Sequence, residues 1–142
     1  MKKNLKPVYQ VLFFCVIFIL SQQSLADTKN SDNIAVASVD KSETSKISDR
    51  AGRAPYFLIF DSDGEFIKSI KNPAQGKRGG ASSSVTNLLK KESVKILIAN
   101  KFGDKMKNNL KAAKIDYQKQ TGIASEVIEK FIKNKRSKND KK

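Results

Sequence analysis

The chain has no histidine, no tryptophan and only one cysteine among its 142 residues. Histidine is the usual general base and the commonest metal ligand, so its absence excludes His-assisted hydrolases, zincins and His-ligated haem proteins. A single cysteine excludes an internal disulfide and any zinc site built from several thiolates. Several enzyme classes are therefore excluded before any motif is considered.

Positive charge, in contrast, is abundant at the N-terminus and throughout the chain. Lys and Arg total 28 and Asp and Glu total 14, so the formal net charge is +14. Lysines at positions 2, 3 and 6 precede an apolar run at Val8–Leu20, and small residues stand at positions 24 and 26. This arrangement is typical of a secretory signal peptide over residues 1–26, cut before Asp27. The run is shorter than the roughly 20 residues of a membrane span, and an uncleaved membrane anchor is the alternative.

Cleavage would remove Cys15 and three lysines, which leaves residues 27–142 with a net charge of +11. An exported chain without cysteine fits a periplasmic or secreted protein that does not depend on disulfides. The metal ligands expected of this mature chain are carboxylates, amides, hydroxyls, tyrosine and backbone groups.

Residues 33–133 alternate apolar segments with turn residues, which predicts one α/β domain after a short linker at 27–32. The predicted strands of a mixed five-stranded sheet are Ile34–Val39, Tyr56–Asp61, Glu65–Lys71, Val94–Ala99 and Ile115–Tyr117. The first three form an antiparallel meander with a hairpin turn at Asp63-Gly64. The first and fourth strands are expected side by side at the sheet centre.

Three amphipathic helices complete the order β-β-β-α-β-α-β-α. The first follows a serine cap at position 82 or 83, the second follows Gly103 with Met106 on its apolar face, and the third follows residues 122–125. Residues 134–142 contain no apolar side chain and carry a net charge of +4, so we predict a disordered basic tail there.

The loop before the second strand is the first candidate ligand site. Arg50 and Arg53 flank Gly52, and two guanidiniums there could hold an anion. The alternative is a simple turn with solvated arginines. Carboxylates are weaker candidates, because Asp61 and Asp63 bracket a hairpin in which Asp is favoured by turn geometry alone.

Two further loops are candidate ligand sites. Gly79 and Gly80 precede the first helix, where backbone N–H groups and the helix dipole favour an anion, although a mobile connection is the alternative. Asn100 and Gly103 follow the fourth strand. Ligands of open α/β sheets bind at the carboxyl ends of strands, so the loops after the first and fourth strands should converge there.

The segments NIAVASVD, GRAPYFLIFD and VKILIANKFGDKMKNNLKAAKIDYQKQTG resemble the dinitrogenase iron-molybdenum cofactor biosynthesis family of NifX/NafY-like domains. The resemblance covers residues 33–133, and Gly52–Phe57 is its most specific part. It implies a ribonuclease H-like three-layer α/β fold. It also implies a non-enzymatic protein that binds or carries an iron-molybdenum cofactor or a precursor iron–sulfur cluster.

The family often carries His-Phe-Gly-Arg where this chain has Arg50-Ala51-Gly52-Arg53. Arginine does not coordinate metals but holds anions by charge-assisted hydrogen bonds. The resemblance therefore implies an anionic cluster or oxyanion held by arginine and backbone N–H groups. The candidate ligand-binding residues are Arg50, Gly52, Arg53, Gly79, Gly80, Asn100 and Gly103.

Two other functions stay open. The basic composition is compatible with nucleic-acid binding, although the positive charge is spread along the chain rather than banded with aromatic residues. The basic tail is compatible with peripheral contact with an anionic cell envelope.

The predicted signal peptide can be tested directly. When the full chain is expressed in a Gram-negative host, the periplasmic fraction should contain a protein that begins at Asp27, as read by N-terminal sequencing and intact mass. Ala26→Phe should block cleavage, because the position before the cut requires a small side chain. Recovery of the wild-type protein with residues 1–26 still attached would contradict the prediction.

Overall fold

The computed structural model describes residues 32–139, so the predicted signal peptide and Cys15 lie outside the described residues. The strands are β1 (Asn33–Ser38), β2 (Tyr56–Phe60), β3 (Phe66–Lys71), β4 (Val94–Ala99) and β5 (Asp116–Lys119). The helices are α1 (Ala81–Lys91), α2 (Asp104–Ala112) and α3 (Ala124–Asn139), and a 3-10 turn spans Ala51–Arg53. Within this part of the chain, no helix combines the length and apolarity needed to cross a bilayer.

The strands form one mixed sheet in the spatial order β3-β2-β1-β4-β5. β1 pairs antiparallel with β2, and β2 pairs antiparallel with β3. β4 pairs parallel with both β1 and β5. The carboxyl ends of β1 and β4 therefore lie side by side at one end of the strands, and the β2–β3 hairpin turn lies at the opposite end. The predicted α/β domain with a mixed five-stranded sheet and three helices is confirmed.

The two faces of the sheet are both apolar, because the central strands are buried on both sides. On β1, Ala35 and Ala37 face α1 and α2, whereas Ile34 and Val36 face α3. The largest helix side chains buried on the first face are Val85, Leu89, Met106 and Leu110, and those on the second are Val127, Ile128 and Ile132. The domain is thus a three-layer sandwich of two helices, the sheet and one helix.

Except in β4, the strand bounds differ from the predictions by one or two residues, and one helix cap differs as well. Val39 was expected to end β1 but is 50% exposed, and β5 starts after the buried Ile115 because residues 116–119 are the ones that pair with β4. The cap of α1 is Gly80, with a left-handed φ of 68°, and no side chain caps this end of the helix. The predicted serine cap was therefore wrong, because both serines lie inside the first turn.

The basic C-terminal segment is helical where disorder was predicted. α3 continues to Asn139, although its last core residue is Ile132 and residues 133–139 are exposed. The prediction is wrong for residues 134–139 because lysine and arginine are good helix formers, and basic side chains near a helix C-terminus interact favourably with the dipole. Extending a helix that is already anchored also avoids the nucleation step.

The contact between the β2–β3 hairpin and α3 depends on a glycine. Gly64 has a φ of 92°, and a Cβ there would lie 2.9 Å from Cγ1 of Ile132 and 3.2 Å from Cγ2 of Ile128. Gly64→Ala should lower the free energy of unfolding by about 1–3 kcal/mol, since it adds both backbone strain and overpacking. Urea unfolding followed by circular dichroism measures this change.

The matched control is Gly76→Ala, because a Cβ at Gly76 has no atom of residues 32–139 within 4 Å. Its stability should stay within about 1 kcal/mol of the wild type. Equal unfolding midpoints for the two variants would show that the hairpin contact is not constrained as described.

Candidate functional site

A cleft of about 490 Å³ opens at the edge of the sheet where β1 and β4 end. Its walls are the 3-10 turn after β1, the glycine-rich loop that enters α1, and the turn that enters α2. Six of the seven residues predicted from the sequence line it, namely Arg50, Gly52, Arg53, Gly79, Gly80 and Gly103. The loops after β1 and β4, which were expected to converge, do so, and the glycine-rich loop before α1 joins them.

The seventh predicted residue, Asn100, does not line the cleft but bonds to the residues just before the 3-10 turn. Its Nδ2 donates a hydrogen bond to Oδ1 of Asp49 at 2.8 Å, and its backbone N–H donates to the carbonyl of Ser48 at 3.2 Å. Next to it, the backbone N–H of Ala51 donates to the carbonyl of Lys101 at 3.0 Å. These bonds continue the β1–β4 pairing past the strand ends and hold the 3-10 turn against the loop after β4.

Asn72 fixes the position of two backbone segments beside the cleft, whereas its place in the sequence indicated only the end of β3. It is buried, and its Nδ2 donates to the carbonyl of Ala54 at 2.8 Å while its Oδ1 accepts from the backbone N–H of Ala74 at 2.9 Å. The side chain thereby joins the segment after the 3-10 turn to the start of the glycine-rich loop. The Asn-Pro pair after a strand was the only local signal, and it indicates a turn without identifying the partners.

Arg53 lines the cleft but is also bound to the chain itself. Its Nη1 donates to the carbonyl of Lys77 and, at 3.3 Å, to that of Gln75. Arg53 therefore holds the glycine-rich loop in place, a role that its position beside Gly52 did not indicate. Arg50, in contrast, is exposed at the mouth of the cleft.

The cleft is strongly positive. The basic residues that line it are Arg50, Arg53, Arg78, Lys101 and Lys105, and none of its described lining residues is acidic. Sequence reasoning did not select the last three, because an isolated basic residue in a basic chain gives no local signal. Two helix N-termini add to the positive potential, since the N-cap residues of α1 and α2 are Gly80 and Gly103 and no side chain caps either helix.

The glycines of the cleft leave its backbone bare. A Cβ added at Gly79 or Gly103 would have no atom of the described residues within 4 Å, and Gly103 has an ordinary φ of −72°. Neither packing nor, at Gly103, backbone conformation therefore requires glycine. A bare backbone at a helix N-terminus does, however, let an anion approach the N–H groups closely.

The described residues offer no conventional metal site. Within residues 32–139, no group of three or more His, Cys, Asp or Glu is placed to hold a metal ion. Asp61 lies at the opposite edge of the sheet, where its Oδ1 accepts from the backbone N–H groups of Asp63 at 2.9 Å and Glu65 at 3.0 Å. This carboxylate thus stabilises the hairpin turn.

A larger cavity of about 680 Å³ lies between the hairpin and α3. Its floor is apolar, with Phe60, Ile128 and Ile132, and its rim includes Glu43 and Glu129. None of the seven candidate ligand-binding residues lines it. Its four carboxylates outnumber its two cations, Lys133 and Arg136, and so disfavour an anion. We therefore place the candidate site in the smaller, basic cleft.

The fold and the cleft define a small α/β binding domain with a cationic site at the carboxyl edge of its sheet. Residues 32–134 match the family of the dinitrogenase iron-molybdenum cofactor, and the chain belongs to this family. The family resemblance seen in the sequence is thereby confirmed. No curated protein is significantly similar to the chain.

Solved structures agree with this assignment. A candidate NifB protein from Thermotoga is 31% identical, with a TM-score of 0.61, over 70% of this chain and 86% of that one. The apo form of the orange protein from Desulfovibrio gigas has a TM-score of 0.68 at 22% identity, over 73% of this chain and 89% of that one. The second likeness concerns the fold alone.

Proposed function

We propose that this protein is an exported, non-enzymatic carrier that binds an anionic cargo, a metal–sulfur cluster or an oxyanion, in its basic cleft. Family membership supports a cluster as cargo. The predicted signal peptide supports export to the periplasm or beyond. We also propose that the three-layer fold is ribonuclease H-like, as the family resemblance implies.

The bare backbone of the cleft is the observation that carries the proposal. Gly79 and Gly103 expose N–H groups at the starts of two helices that no side chain caps, and a Cβ at either position would point into open space. Five cationic side chains surround these N–H groups without a lining carboxylate. An anion would accept hydrogen bonds from these N–H groups and would balance the charge of the surrounding cations.

The cleft also fits the size and charge of a small cluster. Its volume of about 490 Å³ is that of a small-molecule site. Sulfide and oxo groups of an anionic cargo accept hydrogen bonds from guanidinium, ammonium and backbone N–H groups. Arg53 is engaged with the loop, so such bonds come from the other basic residues of the cleft, Arg50, Arg78, Lys101 and Lys105.

Nucleic acid fits the cleft less well. Single strands are bound by stacking bases on exposed aromatic rings, but Phe102, the aromatic residue that lines the cleft, is only 7% exposed. The more exposed rings, Phe66 and Tyr117, belong to the edge strands β3 and β5.

Peripheral envelope contact remains a second candidate function, supported by a different region. The exposed end of α3 carries Lys133, Lys135, Arg136 and Lys138. A cluster of four cations attracts anionic surfaces at about 1 kcal/mol per residue. This contact would be independent of the cargo cleft.

Removal of cleft charge tests the carrier proposal. The triple variant Arg50→Gln, Arg78→Gln, Lys101→Gln should bind two probes at least about tenfold more weakly than the wild type, since a charge-assisted hydrogen bond contributes about 1.5–3 kcal/mol. The probes are molybdate and a synthetic 2-mercaptoethanol-ligated 4Fe–4S cluster, titrated without oxygen. Lys41→Gln, Lys95→Gln, Lys130→Gln removes equal charge elsewhere and should change affinity by less than about twofold. Equal losses in both triple variants would reject the cleft as the site.

Gly103→Ala tests the role of the bare backbone separately from charge. The folded protein should lose no more than about 1 kcal/mol of stability, because alanine adopts the φ of Gly103 without strain. Affinity for both probes should fall at least about tenfold, since the methyl group keeps the anion away from the N–H groups of α2. Gly76→Ala, outside the cleft, is the control, and unchanged binding in both variants would contradict the proposal.

A further inference from the structure

The side chain of Met106 contains the one sulfur atom among the residues that line the cleft, whose other polar groups are nitrogen and oxygen atoms. The sulfur-containing residues of the whole chain are Met1, Cys15 and Met106, so Met106 supplies the sole sulfur within residues 32–139. It lies in the first turn of α2 and lines the cleft. The ligand types expected from the sequence did not include a thioether.

The 3-10 turn is shaped to receive this side chain. A Cβ at Gly52 would lie 3.0 Å from Cε of Met106, so glycine at this position lets the end of the methionine reach the turn. Because Sδ is bonded to Cε, the thioether also lies close to Gly52. Met106 is 4% exposed and packs in the core beneath the cleft. Contact between its sulfur and a ligand therefore requires a change of side-chain rotamer, which its three rotatable bonds provide.

The chemistry of this sulfur differs from that of its neighbours. Guanidinium, ammonium and backbone N–H groups recognise any anion, so they do not distinguish an oxyanion from a metal–sulfur cluster. A thioether has a lone pair that binds soft metals and is a poor partner for the oxygen atoms of an oxyanion. In this cleft, only Met106 can therefore form a coordinate bond to a soft metal.

We propose that Sδ of Met106 coordinates a metal of the bound cargo and thereby selects a metal–sulfur cluster over an oxyanion. This inference rests on the proposed carrier function. The cationic groups hold the cargo by charge, and Met106 determines which cargo is held. Leucine at this position would preserve the packing and remove the selection.

The step with the synthetic cluster is a ligand exchange. The lone pair of Sδ forms an iron–sulfur bond, and one 2-mercaptoethanolate leaves with the electron pair of its own iron–sulfur bond and takes a proton from the solvent. No iron changes oxidation state, and the cluster loses one negative charge. The reaction needs no further reactant.

X-ray absorption at the selenium edge tests the bond itself. The full chain is labelled with selenomethionine, loaded with the synthetic 4Fe–4S cluster and compared with labelled Met106→Leu, in which selenium remains only at position 1. The wild type should show iron at bonding distance from selenium, and the variant should not. Loaded wild type without a selenium–iron distance would overturn the inference.

Affinity gives the second readout. Met106→Leu should bind the 4Fe–4S probe at least about tenfold more weakly, the scale on which metal sites respond to loss of a supporting group. Its affinity for molybdate should stay within about twofold of the wild type. Its circular dichroism spectrum should equal that of the wild type, and its free energy of unfolding should fall only slightly, because leucine and methionine have similar volumes. Equal loss for both probes would assign Met106 to packing alone.

The two proposals fail in different ways. If the wild type binds neither probe, or binds them independently of Arg50, Arg78 and Lys101, the carrier function is rejected. If those charges matter but Met106→Leu retains full affinity for the cluster, only the role of Met106 is rejected.

Discussion

The parallel pairing of β1 with β4 is the constraint on which the rest of the structure depends. These strands come from different halves of the chain, and their register places Ala35 beside Leu97 and Val36 beside Ile98. β1 is buried along its whole length and β4 is buried from Leu97 to Ala99. Because successive side chains alternate between the two faces, a shift of one residue would move every side chain to the other face. Because the strands run in the same direction, the loops that follow them emerge together and are joined by the Ala51–Lys101 hydrogen bond.

Sequence patterns were sufficient for those parts of the fold that follow from local hydrophobicity. The run at Val94–Ala99 is apolar apart from Lys95, and it forms a central strand with the predicted bounds. The position of the site followed from topology, since loops after adjacent parallel strands share an edge. Six of the seven predicted residues accordingly line one cleft.

Features that depend on partners distant in the chain could not be predicted. Asn72 and Arg53 take their roles from carbonyl groups 18 and 22 residues away, and no local pattern specifies such partners. The helical end of α3 was missed for a different reason. A segment without apolar residues is a poor independent helix, but here it extends one that the core has already formed.

The proposed anion site contains no histidine, cysteine or carboxylate ligand. Backbone N–H groups at two helix starts provide fixed dipoles, and mobile side chains provide net charge. Both kinds of group bind through electrostatics and hydrogen bonds, which act on any anion of suitable size. Selectivity therefore has to come from shape or from a group of different chemistry, and the floor of the cleft at Met106 is where such a group stands.

The helical end of α3 and the cleft lie at opposite edges of the sheet, and this separation has an electrostatic consequence. β1 has six residues and is therefore about 20 Å long, whereas charges in physiological salt are screened over about 8 Å. The potential of one basic region is thus negligible at the other. The positive charges at the two ends therefore act as two separate electrostatic regions. Binding of an anion at one end would not change the affinity for an anion at the other.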